Sequence, residues 1–344
     1  MKRFIYTFLL FAGILFHTSV NGQDPHFSQF HSAPLTLNPA MTGLMNHDMR
    51  LVANYRNQWA TVTTPYQTMS ASVDFSILNG ISEFDFFGVG LLVMNDKAGD
   101  ANFKTTQFQL SFAYSKTLSG GADHYFSIGG QFGGVQRSVD FASLTFDSQF
   151  DGDVINSGLG SGETIANDQK FYLDFSAGIA WYYMPNSYSS IYAGAAISHL
   201  NEPDISFYET DVRENLYKKY TFHLGGEIGF GGDFSFIPRG IILVQGPHRE
   251  YNFGGMVKYL VTEEDPIYQA VYLGTTHRLG DAQSVVVRYD FGPFGVGFSY
   301  DFNISKLTRA SRSLAGPEIA LTYRTNFWQE DKRGSRGRIL CPDM

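Results

Sequence analysis

Residues 105–118 read Thr105-Thr106-Gln107-Phe108-Gln109-Leu110-Ser111-Phe112-Ala113-Tyr114-Ser115-Lys116-Thr117-Leu118. Thr106, Phe108, Leu110, Phe112 and Tyr114 fall on one face, and Gln107, Gln109, Ser111, Ala113 and Ser115 on the other. A period of two marks an extended strand with one apolar side. Its length is that of a tilted strand crossing the hydrocarbon layer of a bilayer, which takes about 9–11 residues. The pattern recurs along the chain. In Tyr66–Ile77, Met69, Ala71, Val73 and Phe75 oppose Thr68, Ser70, Ser72 and Asp74. In Phe171–Tyr183, Leu173, Phe175, Ala177, Ile179 and Trp181 oppose Asp174, Ser176, Gly178 and Ala180. Ser284–Phe291 and Phe294–Asn303 alternate likewise, and Asp290, Gly295, Gly297, Ser299 and Asp301 share their polar face. Fainter alternation at 48–56, 86–95, 124–137, 188–199, 219–230, 234–245, 251–261, 269–279 and 315–326 brings the expectation to about fourteen strands.

Composition agrees with a sheet facing a greasy surface. Aromatic residues make up 16% and charged residues only 17%, with 36 Gly, 20 Tyr and 31 Phe. After the first residues no stretch offers the ~20 continuous apolar positions of a membrane helix. A closed barrel is the other way to cross a bilayer. A soluble sandwich or propeller also alternates, but it would bury its apolar face in a dry core, and no propeller-type repeat is visible. The chain is therefore expected to be all-β, an antiparallel transmembrane β-barrel. Short turns such as 120–123, 185–187, 231–233, 280–281 and 292–293 alternate with long segments at 138–170 and 200–218, and shorter ones at 57–65, 96–101, 246–250 and 303–314. That asymmetry is the one between periplasmic turns and external loops. Tyr55, Tyr114, Trp181, Tyr182, Tyr259 and Tyr300 lie near strand ends, where interface girdles form.

The ends suggest export. Lys2 and Arg3 precede the apolar run Phe4–Phe16, and Val20-Asn21-Gly22 places small residues ahead of a cleavage point between Gly22 and Gln23. The expected divisions are a signal sequence 1–22, an N-terminal periplasmic or plug segment 23–47, a barrel 48–327 and a periplasmic tail 328–344. The chain is acidic, with a net charge of −8; removing Lys2 and Arg3 from the 25 basic residues leaves 23 against 33 acidic ones. A nucleic-acid partner is therefore not expected. The single Cys, Cys341, provides no disulfide framework.

The block Gln23-Asp24-Pro25-His26-Phe27-Ser28-Gln29-Phe30, followed by Pro34-Leu35-Thr36-Leu37-Asn38-Pro39-Ala40-Met41-Thr42-Gly43, has no strand or helix period. Together with Tyr55-Arg56-Asn57-Gln58-Trp59, Pro65-Tyr66-Gln67-Thr68, the acidic stretch Leu144–Asp151, Gly316–Tyr323 and Cys341-Pro342, it resembles the PorP/SprF family of outer-membrane proteins of the Bacteroidota. The resemblance implies a role in type IX secretion or gliding motility. The partners it implies are periplasmic proteins of that system and a large secreted surface protein. Thr36 and Pro317 stand where the family's pattern differs. A transport barrel for small or hydrophobic solutes is the alternative.

Phe27, Phe30, Leu35 and Leu37 need burial, and Asn38-Pro39 interrupts regular structure because proline lacks an N–H and restricts its predecessor. These residues either plug the barrel mouth or meet a partner. With an even strand count both chain ends are expected on the periplasmic side, and the basic tail holding Lys332, Arg333, Arg336 and Arg338 is either a solvated extension or a handle there. Arg50, Asp74, Asp174, Lys258, Arg278, Arg288, Asp290 and Glu318 fall on the inner face, where opposite charges are expected to pair. His223 and Glu227, four apart on a strand, are ~13 Å apart along the backbone at ~3.3 Å per residue, too far to share a metal. Asp147, Asp151 and Asp153 partly match a calcium loop, but its twelfth position is Gly158 instead of Glu. No catalytic constellation, cofactor cradle or metal site is expected.

Overall fold

The computed structural model describes residues 23–78, 85–119, 123–156, 158–162, 167–186, 188–208, 214–263 and 268–327. The expected signal sequence and the tail 328–344 lie outside them. Fourteen strands follow in chain order: β1 Met49–Gln58, β2 Tyr66–Leu78, β3 Phe86–Ala98, β4 Phe103–Thr117, β5 His124–Ser138, β6 Gln169–Asn186, β7 Ser189–Ser198, β8 Lys219–Gly229, β9 Phe234–Gln245, β10 His248–Thr262, β11 Gln269–Arg278, β12 Ala282–Phe291, β13 Phe294–Asn303 and β14 Leu314–Thr325. Each pairs antiparallel with its sequence neighbours. β1 then pairs with β14, from Met49↔Thr325 to Arg56↔Glu318, and closes the ring. Closure leaves no edge strand, so each strand is hydrogen-bonded to a neighbour on both sides. Among the described residues no helix is long and apolar enough to cross a membrane.

The two faces decide between an outer-membrane barrel and a soluble sheet protein. On β4, Phe108 is 56% exposed, and Leu110 and Phe112 are also exposed; Gln109, Ser111 and Ser115 between them are buried. On β2 and β12, Met69, Val285 and Val287 face out, whereas Asp74, Arg288 and Asp290 face in. A water-soluble sheet protein would invert this arrangement. An outward apolar band around a polar interior is the arrangement of an outer-membrane barrel.

Several details depart from the expectations: β3 runs to Ala98 and β6 to Asn186, into segments read as connections. Residues 248–250 were expected in a loop, but β10 begins at His248 and turns directly from β9 through Gly246, whose φ of +55° requires the left-handed region that glycine tolerates. Tyr182 was assigned to an interface girdle, yet it is buried inside the ring while Trp181 faces the other way. Successive strand residues point to opposite faces, so proximity to a strand end does not decide direction. Pro317 occupies β14 opposite Tyr300, beside Gly316 (φ +148°) and the register shift between Asp301 and Phe302. Irregular pairing is where a strand tolerates a residue without an N–H.

β1 starts and β14 ends at the same end of the barrel. The connections there are 79–85, 118–123, 187–188, 230–233, 263–268 and 292–293; this is the short-turn end. The opposite, long-loop end carries 139–168, 199–218 and 304–313, with smaller links at 59–65, 99–102, 246–247 and 279–281. If the exposed band meets lipid, Leu110→Arg destabilises the barrel by about 2–4 kcal/mol, read from denaturant unfolding in lipid vesicles. The same change at exposed Asp153 leaves stability nearly unchanged.

Candidate functional site

The segment preceding β1 lies within the barrel. It folds as short turns, Phe30–Ser32, Pro34–Leu37 and Pro39–Met41, because Pro34 and Pro39 each start a turn and Asn38 between them is extended. Its hydrogen bonds go to inward-facing side chains all around the ring: Asn54 on β1, Asp74 on β2, Ser111 on β4, Ser127 and Gln131 on β5, and Glu318 on β14. Only a segment inside the ring reaches all of these.

The six apolar or turn residues singled out in the sequence are all buried here. Phe30 and Leu37 join Met41 and Leu44 in an apolar cluster with Phe86, Tyr125, Tyr182, Met184, Tyr192 and Ile241 from the wall. Phe27 packs with Ala33 and Met94, a separate cluster. Leu35 and Pro39 are buried as well. Asn38 donates through Nδ2 to the backbone carbonyls of Ile179 (2.9 Å) and Ala195 (3.4 Å) and lies 3.0 Å from His223 Nε2. Its Oδ1 accepts from the Ala40 N–H at 2.9 Å, capping the turn that Pro39 begins.

Wall glycines make room for these contacts. A Cβ on Gly178 would lie 2.0 Å from Asn38 Oδ1, one on Gly129 2.5 Å from the Pro39 carbonyl, and one on Gly297 2.4 Å from Gln29 Oε1. On Gly88 it would lie 1.9 Å from the Thr42 carbonyl. Gly178 and Gly297 read in the sequence as members of a polar face; their role is to admit the segment's backbone and amides.

The sequence placed Glu318, Arg278 and Asp301 on the inner face, but not their role in anchoring the segment. Glu318 receives the backbone N–H groups of Ser28 (2.7 Å) and Gln29 (2.8 Å). Asp301 receives Ser28 Oγ, Ser284 Oγ, Arg56 and Arg278 at 2.6–2.8 Å. Arg56 also donates to the His26 carbonyl. His26 lies 3.2 Å from Glu250, but burial, and then Arg278 and Arg56, hold its imidazole well below its ordinary pKa. Nε2 faces Arg278 Nη1, so a neutral ring accepts there and the Glu250 contact is not an ion pair. The other inner-face charges pair as expected: Arg50 with Asp74 at 2.7 Å, Arg288 with Asp290 at 2.7 Å and Lys258 with Glu227 at 3.2 Å. Glu227 and His223 thus have separate partners. Among the described residues Arg239 Nε and Nη1 and both ring nitrogens of His31 have none, and each such burial opposes folding.

A further anchor lies at the segment's beginning. Asp24 Oδ2 meets His199 Nε2 at 2.7 Å and Lys219 Nζ at 2.8 Å, and its N–H donates to Gln245 Oε1 at 3.0 Å. His199 Nδ1 lies 2.9 Å from Asp174 Oδ1. Burial disfavours the imidazolium, but the two aspartates outweigh it and raise His199 to about 9, so both ring nitrogens donate. Burial alone would raise Asp24; Lys219 and His199 instead bring it well below the ordinary range. A cavity of about 70 Å³ lies beneath this anchor, lined in part by Phe27, Thr36, Leu92 and Leu243.

His199, Lys219 and Gln245 all stand at the long-loop end. Asn54 and Asn38 contacts follow midway, and Met41, Gly43 and Asp48 meet Arg50, Asp74 and Thr325 at the short-turn end. The described chain therefore starts at the mouth opposite Met49 and Thr325. This corrects the expectation that both ends share one side: an even strand count fixes the ends of the sheet, not of a segment threaded through it.

The acidic loop uses its carboxylate internally. Asp151 Oδ1 accepts the N–H groups of Val154 (3.1 Å) and Asp153 (3.2 Å), which lower its pKa. Among the described residues no cluster of three or more His, Cys, Asp or Glu is placed to hold a metal ion. The site is one of charge pairing and packing.

Comparison with known proteins adds the following. A family model described as type IX secretion system membrane protein PorP/SprF matches residues 19–323. No curated protein sequence matches the chain. Among solved structures, the toluene transporter TodX of Pseudomonas putida is 10% identical with a TM-score of 0.50, covering 85% of this chain and 93% of that one. The CymD monoaromatic hydrocarbon channel is 11% identical with a TM-score of 0.46, covering 90% and 96%. At such identities the likeness to TodX is one of fold.

Two outcomes test the site. Gly88→Val forces Thr42 and Gly43 off the wall, so protease nicking within 27–45 increases while the barrel keeps its heat-modifiable migration on gels. The His199 pair is strongest below its ordinary pKa of 6.5 and is lost as pH rises through about 9. The raised pKa corresponds to on the order of 3 kcal/mol. The melting temperature in detergent therefore falls between pH 6.5 and 9, and His199→Gln flattens that fall.

Proposed function

The chain belongs to the PorP/SprF family of type IX secretion system membrane proteins, and from that membership we propose that it is a non-catalytic outer-membrane component supporting secretion or surface attachment of a client protein through protein contacts. A gliding adhesin is one such client. The observation carrying this reading is the family match, which runs from the end of the apolar leader almost to the end of β14. We assign the short-turn end to the periplasm and the long-loop end to the cell exterior, following the loop-length rule for such barrels.

The chemistry supports a contact role. Large apolar side chains at Phe150, Val154, Ile155 and Leu159 are exposed on the 139–168 loop, outside the lipid-facing wall. Apolar groups displayed to water together are one mark of a surface that another protein covers. The lumen holds its own charged and apolar filling. Serving as a conduit for small or hydrophobic solutes would require that filling to move, and solute uptake into liposomes tests that alternative. Export by a signal cleaved between Gly22 and Gln23 belongs to the same proposal, and so do the division at 47/48 and the periplasmic tail.

Affinity capture of the tagged protein from solubilised outer membranes, read by mass spectrometry, is expected to recover a large surface protein together with secretion-system proteins. Deleting the gene is expected to remove that surface protein from intact cells. Recovery of bulk outer-membrane proteins alone, with surface display unchanged, would refute the reading.

A further inference from the structure

The threading of residues 24–48 has a consequence for which side of the membrane meets the segment. Its polar contacts descend in order. Asp24 is held by His199, Lys219 and Gln245, each at the long-loop end of its strand. Next, His26 lies beside Arg278, the last residue of β11, and Ser28 binds Glu318 and Asp301. Ser32 follows on Asn54, Asn38 on His223, Ala40 on Ser127, and Gly43 on Asp74. Asp48 closes the path against Thr325 at the short-turn end. Gln23, one residue beyond the anchor, is exposed.

We infer that the amino-terminal end of this segment is displayed on the outside of the cell, and that residues 23–26 and the described residues of the loops 139–168 and 199–218 together form the face that a secreted protein meets. This rests on the orientation proposed above. A periplasmic protein would have to pass the apolar cluster around Phe30, Leu37 and Met41 to reach that end. An external protein meets Gln23 first. The anchor also ties this end to the loop it would share a partner with: His199 opens the 199–218 loop, and Lys219 follows its last residue. A partner that draws on either side of the Asp24 pair therefore pulls on the other.

A short epitope is placed between Gln23 and Asp24, after Asp153 in the external loop, or after Asp233 in the 230–233 turn, and antibody labelling is compared on intact and permeabilised cells. Because an insertion can disturb folding, Pro25→Cys in a Cys341→Ser background is labelled in parallel with a membrane-impermeant maleimide. The inference expects residues 23–25 to label on intact cells as Asp153 does, with labelling lost only at Asp233. It also expects Asp24→Asn to speed labelling of Pro25→Cys by freeing the end. Protection of residues 23–25 together with Asp233, while Asp153 is labelled, overturns the inference and leaves the orientation standing. Labelling of Asp233 with Asp153 protected overturns the orientation, and the inference with it.

Discussion

A bilayer interior offers no hydrogen bonds, so a sheet that crosses it must pair every strand with another. The β1–β14 seam meets that demand. Met49 to Arg56 pair residue for residue with Thr325 to Glu318, and the ring has no free edge. Closure then imposes the rest. One side of the strands carries the exposed apolar band, Phe108, Leu110 and Met69 among it, which a bilayer accepts without penalty. The other side encloses a volume that lipid cannot enter.

That volume is filled by the chain itself. Apolar contacts among Phe30, Leu37, Met41, Tyr125 and Tyr182 supply favourable burial, while the charged groups set position. A buried ion pair adds little net stability because desolvation offsets much of its attraction, yet removing one partner costs about 3–5 kcal/mol. Asp301, Glu318, Asp24 and Asp74 therefore act as fixed stations. Each accepts from the segment or from an arginine or lysine beside it. Gly88, Gly129 and Gly178 complete the fit where backbone meets backbone too closely for a side chain.

Much of the barrel could be read from residues alone. Alternation located all fourteen strands, including the faint ones, because an apolar outer side and a polar filling on the other repeat the same two-residue demand along every strand. The pairing of Arg50, Asp74, Arg288 and Asp290 was also legible, since charges on an enclosed face must find one another. Other features were not. Tyr182 looked like an interface aromatic because local sequence gives its distance from a strand end but not what stands inside the ring. His199 and Lys219 lie next to one long loop and carry no pattern. Their meaning depends on Asp24, which is distant in sequence and adjacent only after the ring closes.

Sequence by itself determined the strand number, the outward apolar side, the family and the presence of an irregular, partly apolar segment ahead of β1. The strand number, the outward apolar side and the irregular segment follow from local periodicity and composition, and the family from the resemblance of the block Gln23–Gly43 and the motifs after it. Tertiary structure alone decided that this segment lies inside the barrel, that it runs toward the long-loop mouth, and which carboxylates hold it. Those outcomes depend on side chains from many strands converging on one enclosed space, and no stretch of sequence encodes that convergence in its own pattern.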